Sequence, residues 1–498
     1  MMNILQELVD TLTLNKIKIL FAIKDKNDYI GIEELAKRTG FERRTIEAYL
    51  NELYHDYTQF SKTESNLRFT ISSDKRVSIS YQLYEDFYSF VLFLVSQSFS
   101  IKLLSRLFLG EIVSTTEYIS ENFISSSTFK RRIAKIRPVL KRYMIELTTK
   151  KGTLYLSGEE RQIRILAYTF FWMLCKGKYW PFQIEKQKVI DIQKELSQNF
   201  NNHLSQTNIE QKYFVLAINI LRFRKGHKVS FSDEWLKQFF SAEFIQLSSH
   251  WKQQHLLSKN EFFFFVLVLQ SQEKFYLENE LGTPTLAFHK ESNSQVYQST
   301  EAFFTAFADE ICPIPLAIKE EFFSYIFAYH LFCTLFKNVP FGMSGFGDID
   351  TLKSRFPLLE AKLTNLLKHL YEKSKIELFR EAHFLLPRYA LFFSSIKPIS
   401  YFEETFSIYM DTDLPLISEK RLISKLLEYF KDSYNLKISS TLEYFQESAF
   451  DLVLTTSFTP IIKSVTASDS ILFITDELRL EDIVRIDKLL TTIRMNRK

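Results

Sequence analysis

Cysteine, glycine and proline are scarce in this chain of 498 residues, which contains three, eleven and eleven of them. The cysteines, Cys175, Cys312 and Cys333, lie far apart, with no CxxC pair and no histidine at a zinc-ligand spacing. Neither a disulfide framework nor a metal site is predicted. The sequence also has no GxGxxG, GxxxxGK[ST], GxSxG or HExxH motif, so we expect no cofactor, and an enzyme is the less favoured class.

Long hydrophobic runs are missing as well. The most apolar run, FFFFVLVL at residues 262–269, is far below the roughly 20 residues that a membrane-spanning helix needs. The first twenty residues lack the charged-then-apolar order of a signal peptide. With 46% hydrophobic and 24% charged residues, the composition is globular, and the length predicts roughly three to five domains. We therefore expect a cytoplasmic protein with no membrane partner.

A helix-turn-helix pattern opens the chain. The segments TLTLNKIKILFAIK, GIEELAKRTG and FERRTIEAYLNELYHDY have helical periodicity, and the second and third are only a few residues apart. In the third segment one apolar stripe is formed by Ile46, Leu50, Leu53 and Tyr57. The alternating segment NLRFTIS at residues 66–72 predicts a strand of a wing.

The same pattern returns 83 residues later, where the spacing of the stripe is repeated by Phe129, Ile133, Ile136 and Leu140. The segment TTEYISENF precedes it as a positioning helix. The segment IELTTKKGTLYLSG follows it and predicts a hairpin that turns at Lys151 and Gly152. A second winged helix-turn-helix, with Ser125 as the helix N-cap, is therefore predicted.

Positive charge is concentrated in this second unit. Nine Lys or Arg lie between Phe123 and Lys151, although the net charge of the whole chain is only +4. Basic side chains on such a helix can meet phosphates or guanine edges in the major groove, and those of a wing tip can meet the DNA backbone. The predicted DNA-contacting residues of this unit are Ser126, Ser127, Thr128, Lys130, Arg131, Lys135, Arg142, Lys150 and Lys151. The alternative is a solvated basic helix with no nucleic-acid role, and the repeat and the wing favour DNA.

The first unit contributes Arg43 and Arg44 as predicted base-reading residues. Its third helix also carries four carboxylates, those of Glu42, Glu47, Glu52 and Asp56. Because carboxylates near phosphates oppose binding, we expect the affinity that does not depend on sequence to come mainly from the second unit.

Tandem winged helices, the second with ISSSTFKRRIAKIRPVLKRYMIELT and the continuation LSGEERQIR, resemble the Mga/AtxA family of transcriptional regulators from Gram-positive bacteria, and its RofA-like branch in particular. Residues 118–164 carry the most specific part of this resemblance. It implies two helical phosphotransferase-regulation domains in the middle of the chain. It also implies a C-terminal module similar to the enzyme IIB component of sugar phosphotransferase systems.

The middle of the chain fits this expectation, since helical patterns run from residue 162 to about 398. The segment FVLAINILRFRKGHKV resembles the signature helix of the first regulation domain, with Arg222, Gly226 and His227 in its R-x-x-x-G-H portion. Val215 stands where such domains often carry a phosphorylatable histidine. His330, within EEFFSYIFAYHLFCTLF, lies roughly where the family carries a regulatory histidine and is the candidate for phosphorylation. The alternative for a single histidine in so apolar a helix is a core residue hydrogen-bonded to a neighbour.

The last hundred residues change to short β-type runs, TFSIYMD, YNLKISS, FDLVLTT and SILFIT, separated or followed by helical segments. This alternation predicts an open α/β sheet. The loop after the first strand reads MDTDLP, with no cysteine where IIB domains carry their phosphocysteine. Because its two aspartates would repel a phosphate, we expect a non-catalytic dimerisation or docking unit.

The predicted fold is therefore a mainly α multidomain protein with five parts. These are winged helix-turn-helix units over 1–64 and 65–160, helical regulation bundles over 161–280 and 281–400, and an α/β open-sheet IIB-like domain over 401–498.

The predicted function is that of a DNA-binding transcriptional regulator, an activator of virulence or surface-protein genes tuned by phosphotransferase-system or metabolic signals. Its expected partners are double-stranded DNA, further copies of the chain in a homodimer or higher oligomer, and a phosphotransferase-system phosphocarrier. Two alternatives stay open. One is a phosphotransferase-system component without a DNA role, and the other is an RNA-binding antiterminator, which would be expected to begin with a small β-rich module.

Overall fold

The computed structural model describes residues 3–24, 29–62, 66–197, 205–242, 244–245, 258–278, 281–342, 349–441, 450–457, 470–475 and 477–497. The chain divides into two compact units, one of residues 1–300 with 324–346 and the other of residues 301–323 with 347–498. Helices dominate the described residues, and small sheets accompany them. The prediction of a mainly α protein is confirmed.

The first winged unit consists of α1 (Asn3–Leu8), α2 (Thr11–Lys24), α3 (Ile32–Thr39), α4 (Arg43–Phe60) and the hairpin β1 (Leu67–Ile71) and β2 (Val77–Tyr81). The stripe residues Ile46, Leu50 and Leu53 are buried, as the periodicity predicts. Gly40 ends α3 at a φ of 72°, a left-handed conformation that favours glycine. Ile30, in the segment before α3, pairs with Val77, so the hairpin is joined to the part of the chain that precedes residue 64.

The second winged unit consists of α5 (Tyr84–Gln97), α6 (Phe99–Phe108), β3 (Val113–Ser114), α7 (Thr115–Glu121), α8 (Ser126–Arg142), β4 (Glu146–Lys150) and β5 (Thr153–Ser157). The strands form an antiparallel sheet in the order β3-β5-β4. The predicted stripe of α8 is buried, with Phe129 only 6% exposed and Leu140 fully enclosed. In the part of the chain that the structure describes, no single helix is long and apolar enough to cross a membrane, and α5 with α6 passes that test only as a pair bent by 80°.

A helical bundle follows within the same compact unit. Its helices are α9 (Glu160–Cys175), α10 (Lys186–Ser197), α11 (Gln206–Arg224), α12 (Asp233–Leu236), α13 (Lys259–Gln270), α14 (Glu273–Glu278) and α15 (Gly282–Glu291). Helices α16 (Gln295–Glu310) and α17 (Leu316–Leu335) each have residues in both compact units. Every residue of α9 from Gln162 to Cys175 is buried, which is why this helix has no polar face. The predicted division into two bundles at residue 280 stays a prediction.

The other compact unit contains further helices and a sheet. Its helices are α18 (Ile349–Arg355), α19 (Pro357–Ser374), a 3₁₀ turn (Glu377–Arg380), α20 (Ala382–Ser394), α21 (Leu416–Phe430) and α22 (Leu480–Arg497). The first backbone N–H groups of α19, at Leu358 and Leu359, donate to the carboxylate of Glu403 at 3.1 and 3.0 Å. A residue more than forty positions away thus caps this helix.

The sheet of this unit is parallel, with β6 (Thr405–Asp411), β7 (Asn435–Ser439), β8 (Leu452–Thr455) and β9 (Ile471–Phe473) in the order β7-β6-β8-β9. Its core joins Phe406, Ile408 and Met410 of β6 to apolar side chains of α21 and α22. The four predicted strands and both predicted helices are present, so the open α/β sheet is observed. In the loop after β6, Thr412 donates to Glu419 at 2.6 Å and Thr456 donates to Asp413 at 2.7 Å. The similarity to enzyme IIB stays a prediction.

Candidate nucleic-acid interface

Helix α8 begins at the predicted cap. The Ser125 hydroxyl accepts the backbone N–H of Thr128 at 3.2 Å and lies 3.0 Å from the Thr128 hydroxyl. This bond satisfies one of the free N–H groups of the first turn. Ser126 and Ser127 follow as exposed, small and polar residues, and Thr128 is half-buried. The N-terminal end of α8 is therefore fixed, narrow and polar.

The outer face of α8 carries cations that are not neutralised within the chain. Lys130, Arg131 and Lys135 are all exposed, and none of them forms an ion pair with another residue that the structure describes. All three lie outside the buried stripe that runs from Phe129 to Leu140, and Arg131 and Lys135, four residues apart, are neighbours on the helix surface. These three predicted contacts make up the accessible basic face of α8.

The wing is held against α8 by an arginine that the sequence analysis did not select. Arg137 donates to the carbonyl of Leu147 at 3.1 Å and to the hydroxyl of Thr149 at 3.0 Å, both in β4. Its role was missed because its partners lie in the hairpin, and only a predicted register of that hairpin could have identified them. The hairpin turns at Lys151 and Gly152, whose φ values are 48° and 78°, as a two-residue turn with two left-handed residues requires. Lys150 and Lys151 are exposed at its tip.

Arg142 differs from the other predicted contacts. It lies at the C-terminal end of α8 and forms an ion pair with Glu7 of α1, 135 residues earlier in the chain. This carboxylate offsets the positive charge that the sequence analysis assigned to DNA. Arg132, which also lies in α8, packs its guanidinium over the ring of Phe99 at 4.9 Å. The basic face of α8 is therefore smaller than its composition suggests.

In the first winged unit the negative charge is smaller than the sequence suggests, because most of the carboxylates of its third helix are paired with cations. Glu47 lies 3.3 Å from Arg43 and 3.2 Å from Lys75, and the hydrogen bond from Lys75, followed by that from Arg43, lowers the pKa of Glu47. Glu52 and Asp56 both pair with Lys16, at 3.0 and 2.8 Å. Three of the four carboxylates, those of Glu47, Glu52 and Asp56, are thus paired and oppose DNA less than their number implies.

Arg44 is the free arginine of α4. It is exposed and has no ion pair with any residue in the described ranges, whereas Arg43 is engaged by Glu47. Among the two predicted base readers of the first unit, Arg44 is therefore the more available.

The helical bundle contains a buried group of charges, here called the charge cluster, formed by Glu160, Arg164, Arg222 and Glu261. Arg222 donates to the Glu160 carboxylate at 2.5 and 2.7 Å. Arg164 donates to Glu160 at 2.8 Å and to both carboxylate oxygens of Glu261, one of them at 3.0 Å. The side chains of Arg164 and Arg222 are each only 1% exposed. Such a group is stable only because each charge has partners.

The two carboxylates of the charge cluster respond differently to burial. Burial raises the pKa of Glu160, but the hydrogen bonds and charges of Arg222 and Arg164 outweigh it, and the net shift is downward. For Glu261 burial dominates over Arg164, and the pKa is raised. Glu160 is therefore the better stabilised anion of the two.

The charge cluster attaches the helical bundle to both ends of the α6–β5 segment. Arg222 of α11 donates to the backbone carbonyls of Phe108 at 2.9 Å and Leu107 at 3.3 Å, at the end of α6. Its carboxylate partner Glu160 is the first residue of α9, three positions after the end of β5. His227 adds a contact between its Nε2 and the carbonyl of Gly110 at 3.2 Å. The predicted signature residues Arg222 and His227 thus bind the bundle to the segment that contains α8.

A cavity of about 420 Å³ opens beside the charge cluster. It is lined by Glu159, Glu160, Arg161, Lys228, Val229, Ser230, Phe231, Ser232 and Trp235. Charged, hydroxyl and aromatic side chains therefore converge next to Glu160.

His330 lies inside the fold. It is fully buried in α17, its Nδ1 lies 3.0 Å from the hydroxyl of Thr300, and burial lowers its pKa to about 3. His289 is buried in the same manner, and burial lowers its pKa to about 4. The geometry of His330 matches the core alternative. Its phosphorylation stays a prediction, and it requires the surrounding helices to open first.

Helices α7 and α8 with the hairpin β4–β5 define a winged helix-turn-helix. The profile of the Mga helix-turn-helix domain matches residues 83–171, which include the whole second winged unit from α5 to β5. The predicted resemblance to the Mga/AtxA family of regulators is confirmed. The RofA-like branch stays a prediction.

Two curated proteins of Bacillus anthracis are similar to this chain. The capsule synthesis positive regulator AcpB is 20% identical over 257 residues, which cover 50% of this chain and 52% of AcpB. The capsule synthesis positive regulator AcpA is 20% identical over 318 residues, which cover 62% of this chain and 63% of AcpA. The chain thus spans between about half and just under two thirds of the length of these relatives.

Proposed function

We propose that this protein is a DNA-binding transcriptional regulator that places α8 in the major groove and the β4–β5 wing on the neighbouring phosphates. The observation that carries the proposal is the basic face of α8, where Lys130, Arg131 and Lys135 are exposed without ion pairs in the described chain. The match of the Mga helix-turn-helix profile to the same residues supports it.

The geometry of the second winged unit supports this docking mode. Recognition helices contact base edges mainly through their N-terminal residues, and this end of α8 has the small exposed Ser126 and Ser127. Lys150 and Lys151 extend the positive surface at the wing tip. In the first winged unit, Arg44 is the residue available for a further base contact.

The finer parts of the proposal concern direction and control. Activation is proposed because both similar proteins are named positive regulators, and virulence or surface-protein genes are the proposed targets. Signals reach α8 through the charge cluster. The packing of the cluster is changed either by a small metabolite that binds in the cavity beside Glu160 or by a phosphocarrier that acts on the bundles. A homodimer or higher oligomer presents two copies of α8, which suits two half-sites on DNA.

The experiment is a salt titration of DNA binding. Each lost phosphate contact makes the plot of log K against log salt shallower by about 0.9, so Arg131→Ala with Lys135→Ala shallows it by up to about 1.8. Arg43→Ala with Arg44→Ala has a smaller effect, because Arg43 is already paired with Glu47. Lys420→Ala with Lys425→Ala removes two exposed charges of α21 and leaves the slope unchanged. Equal slopes for the wild type and the Arg131/Lys135 variant would refute the phosphate role, and preferential binding of RNA would favour the antiterminator.

A further inference from the structure

Phe123, in the turn between α7 and α8, has an unusual combination of exposure and backbone conformation. Its side chain is 96% exposed, and its φ is 50°. Phe123 N–H donates to the Ser120 carbonyl at 3.1 Å and Ile124 N–H donates to the Ile119 carbonyl at 3.2 Å. These two bonds define a Schellman motif in which Phe123 occupies the left-handed position, where glycine is usual.

A glycine at this position would relieve strain. A residue with a Cβ is disfavoured in the left-handed region, and an exposed phenyl ring gains nothing from the core in return. The equivalent turn of the first winged unit has Gly40, with a φ of 72°. Strained positions of this kind occur at functional sites. The ring of Phe123 is 96% exposed and stands beside the cap of α8, and this combination indicates a contact outside the chain.

The position of Phe123 indicates that contact. It lies two residues before the cap Ser125, at the end of α8 that presents Ser126 and Ser127. Lys130 and Arg131 follow one turn later, exposed and without ion pairs in the described part of the chain. An apolar ring at the edge of a basic, polar surface suits DNA, in which thymine methyl groups are the apolar feature of the major groove.

We propose that the Phe123 ring covers thymine methyl groups at the edge of the α8 site, so that this residue helps to set the sequence preference. The inference rests on the proposed DNA-binding function. It makes Phe123 an apolar reader beside the phosphate-binding cations, and it explains why the turn carries a strained phenylalanine.

The test combines a protein change with a DNA change. The wild-type full-length chain first selects duplexes from a randomised pool, and the selected duplex is then made with thymine or with deoxyuridine, which lacks the methyl group. Phe123→Gly weakens binding to the thymine duplex by about fourfold for each methyl group covered. Deoxyuridine weakens wild-type binding by the same factor and leaves the Phe123→Gly variant unchanged. Phe123→Gly also unfolds at a higher temperature than the wild type, so weaker binding is not a consequence of misfolding.

Met144 provides a matched control. It is 56% exposed with a φ of 58°, and it occupies the same left-handed position of a Schellman motif at the other end of α8, with Met144 N–H bonded to Lys141 and Ile145 N–H to Leu140. Met144→Gly is expected to raise the unfolding temperature and to leave both duplex affinities unchanged.

Three results would overturn the inference. Equal thymine-duplex affinity of Phe123→Gly and wild type shows that the ring makes no DNA contact. If Phe123→Gly lowers the affinity for the thymine duplex and for the deoxyuridine duplex equally, the methyl group is not the target. If Phe123→Gly weakens self-association and leaves the DNA affinity unchanged, the ring contacts a second copy of the chain. Failure of the wild type to select any duplex rejects the proposed function itself, a result that does not depend on Phe123.

Discussion

Arg222→Met tests whether the charge cluster holds the bundle to the second winged unit. The substitution removes two bonds to Glu160, at 2.5 and 2.7 Å, and the bonds to the carbonyls of Phe108 and Leu107. It leaves a buried carboxylate with Arg164 as its cation. Removing one partner of a buried ion pair costs about 3–5 kcal/mol, a large part of the roughly 5–15 kcal/mol that stabilises a typical domain.

The free energy of unfolding of the wild type and the variant is measured by urea denaturation. Amide hydrogen exchange then locates the effect, and the largest losses of protection are expected in α6, α9 and α11, which the cluster joins. Lys319→Met is the control, since its pair with Glu301 at 2.9 Å is exposed by 36% and 41%. Exposed pairs contribute about 0–1 kcal/mol.

The double variant Arg222→Met with Glu160→Gln separates lost packing from an uncompensated charge. Because the glutamine carries no charge, part of the stability lost in the single variant returns. Arg164 keeps its bonds to Glu261 in this background. If Arg222→Met destabilises the protein no more than Lys319→Met does, the cluster does not hold the bundle in place.

Two further predictions concern acid stability and the C-terminal module. Burial lowers the pKa values of His330 and His289 from 6.5 to about 3 and about 4. Below about pH 6.5 the unfolded chain therefore binds more protons than the folded chain. The free energy of unfolding then falls as the pH drops, by up to roughly 1.4 kcal/mol per pH unit for each histidine. His289→Gln with His330→Gln flattens this dependence in denaturation measured between pH 7 and 4.5, and an unchanged slope in the double variant contradicts the burial argument. Deleting residues 405–498 lowers self-association and DNA affinity. The rest of the chain stays folded, because the cut retains Glu403, which caps α19. An unchanged sedimentation mass of the shortened chain counts against the dimerisation role.

Much of the second winged unit follows from local sequence rules. The stripe from Phe129 to Leu140 predicts the buried face of α8, a serine before the helix predicts its cap, and Lys151 with Gly152 predicts the hairpin turn. Each of these features depends on residues close together in the chain. Local periodicity and turn chemistry are therefore sufficient for them.

The remaining features depend on partners that are distant in sequence. The sequence predicts a DNA contact for Arg142, and it does not predict the ion pair with Glu7, because Glu7 lies 135 residues away and no periodicity connects the two. Arg222 and Glu160 are separated by 62 residues, so the composition of each helix gives no sign of their pairing. Phe123 was missed for another reason, since a turn of this geometry is expected to contain glycine.

The charge cluster also sets an order of events during synthesis. Arg164 leaves the ribosome 97 residues before its partner Glu261, and Glu160 leaves 62 residues before Arg222. At roughly 5–20 residues per second, the second winged unit is complete about 5–20 s before the last of these partners emerges. A nascent chain in this interval has a finished α8 and wing, while the bundle and the charge cluster are still incomplete. Completion of the charge cluster thus follows completion of the winged unit, and a chain terminated before Glu261 lacks the carboxylate partner of Arg164 and the helices from α13 onward.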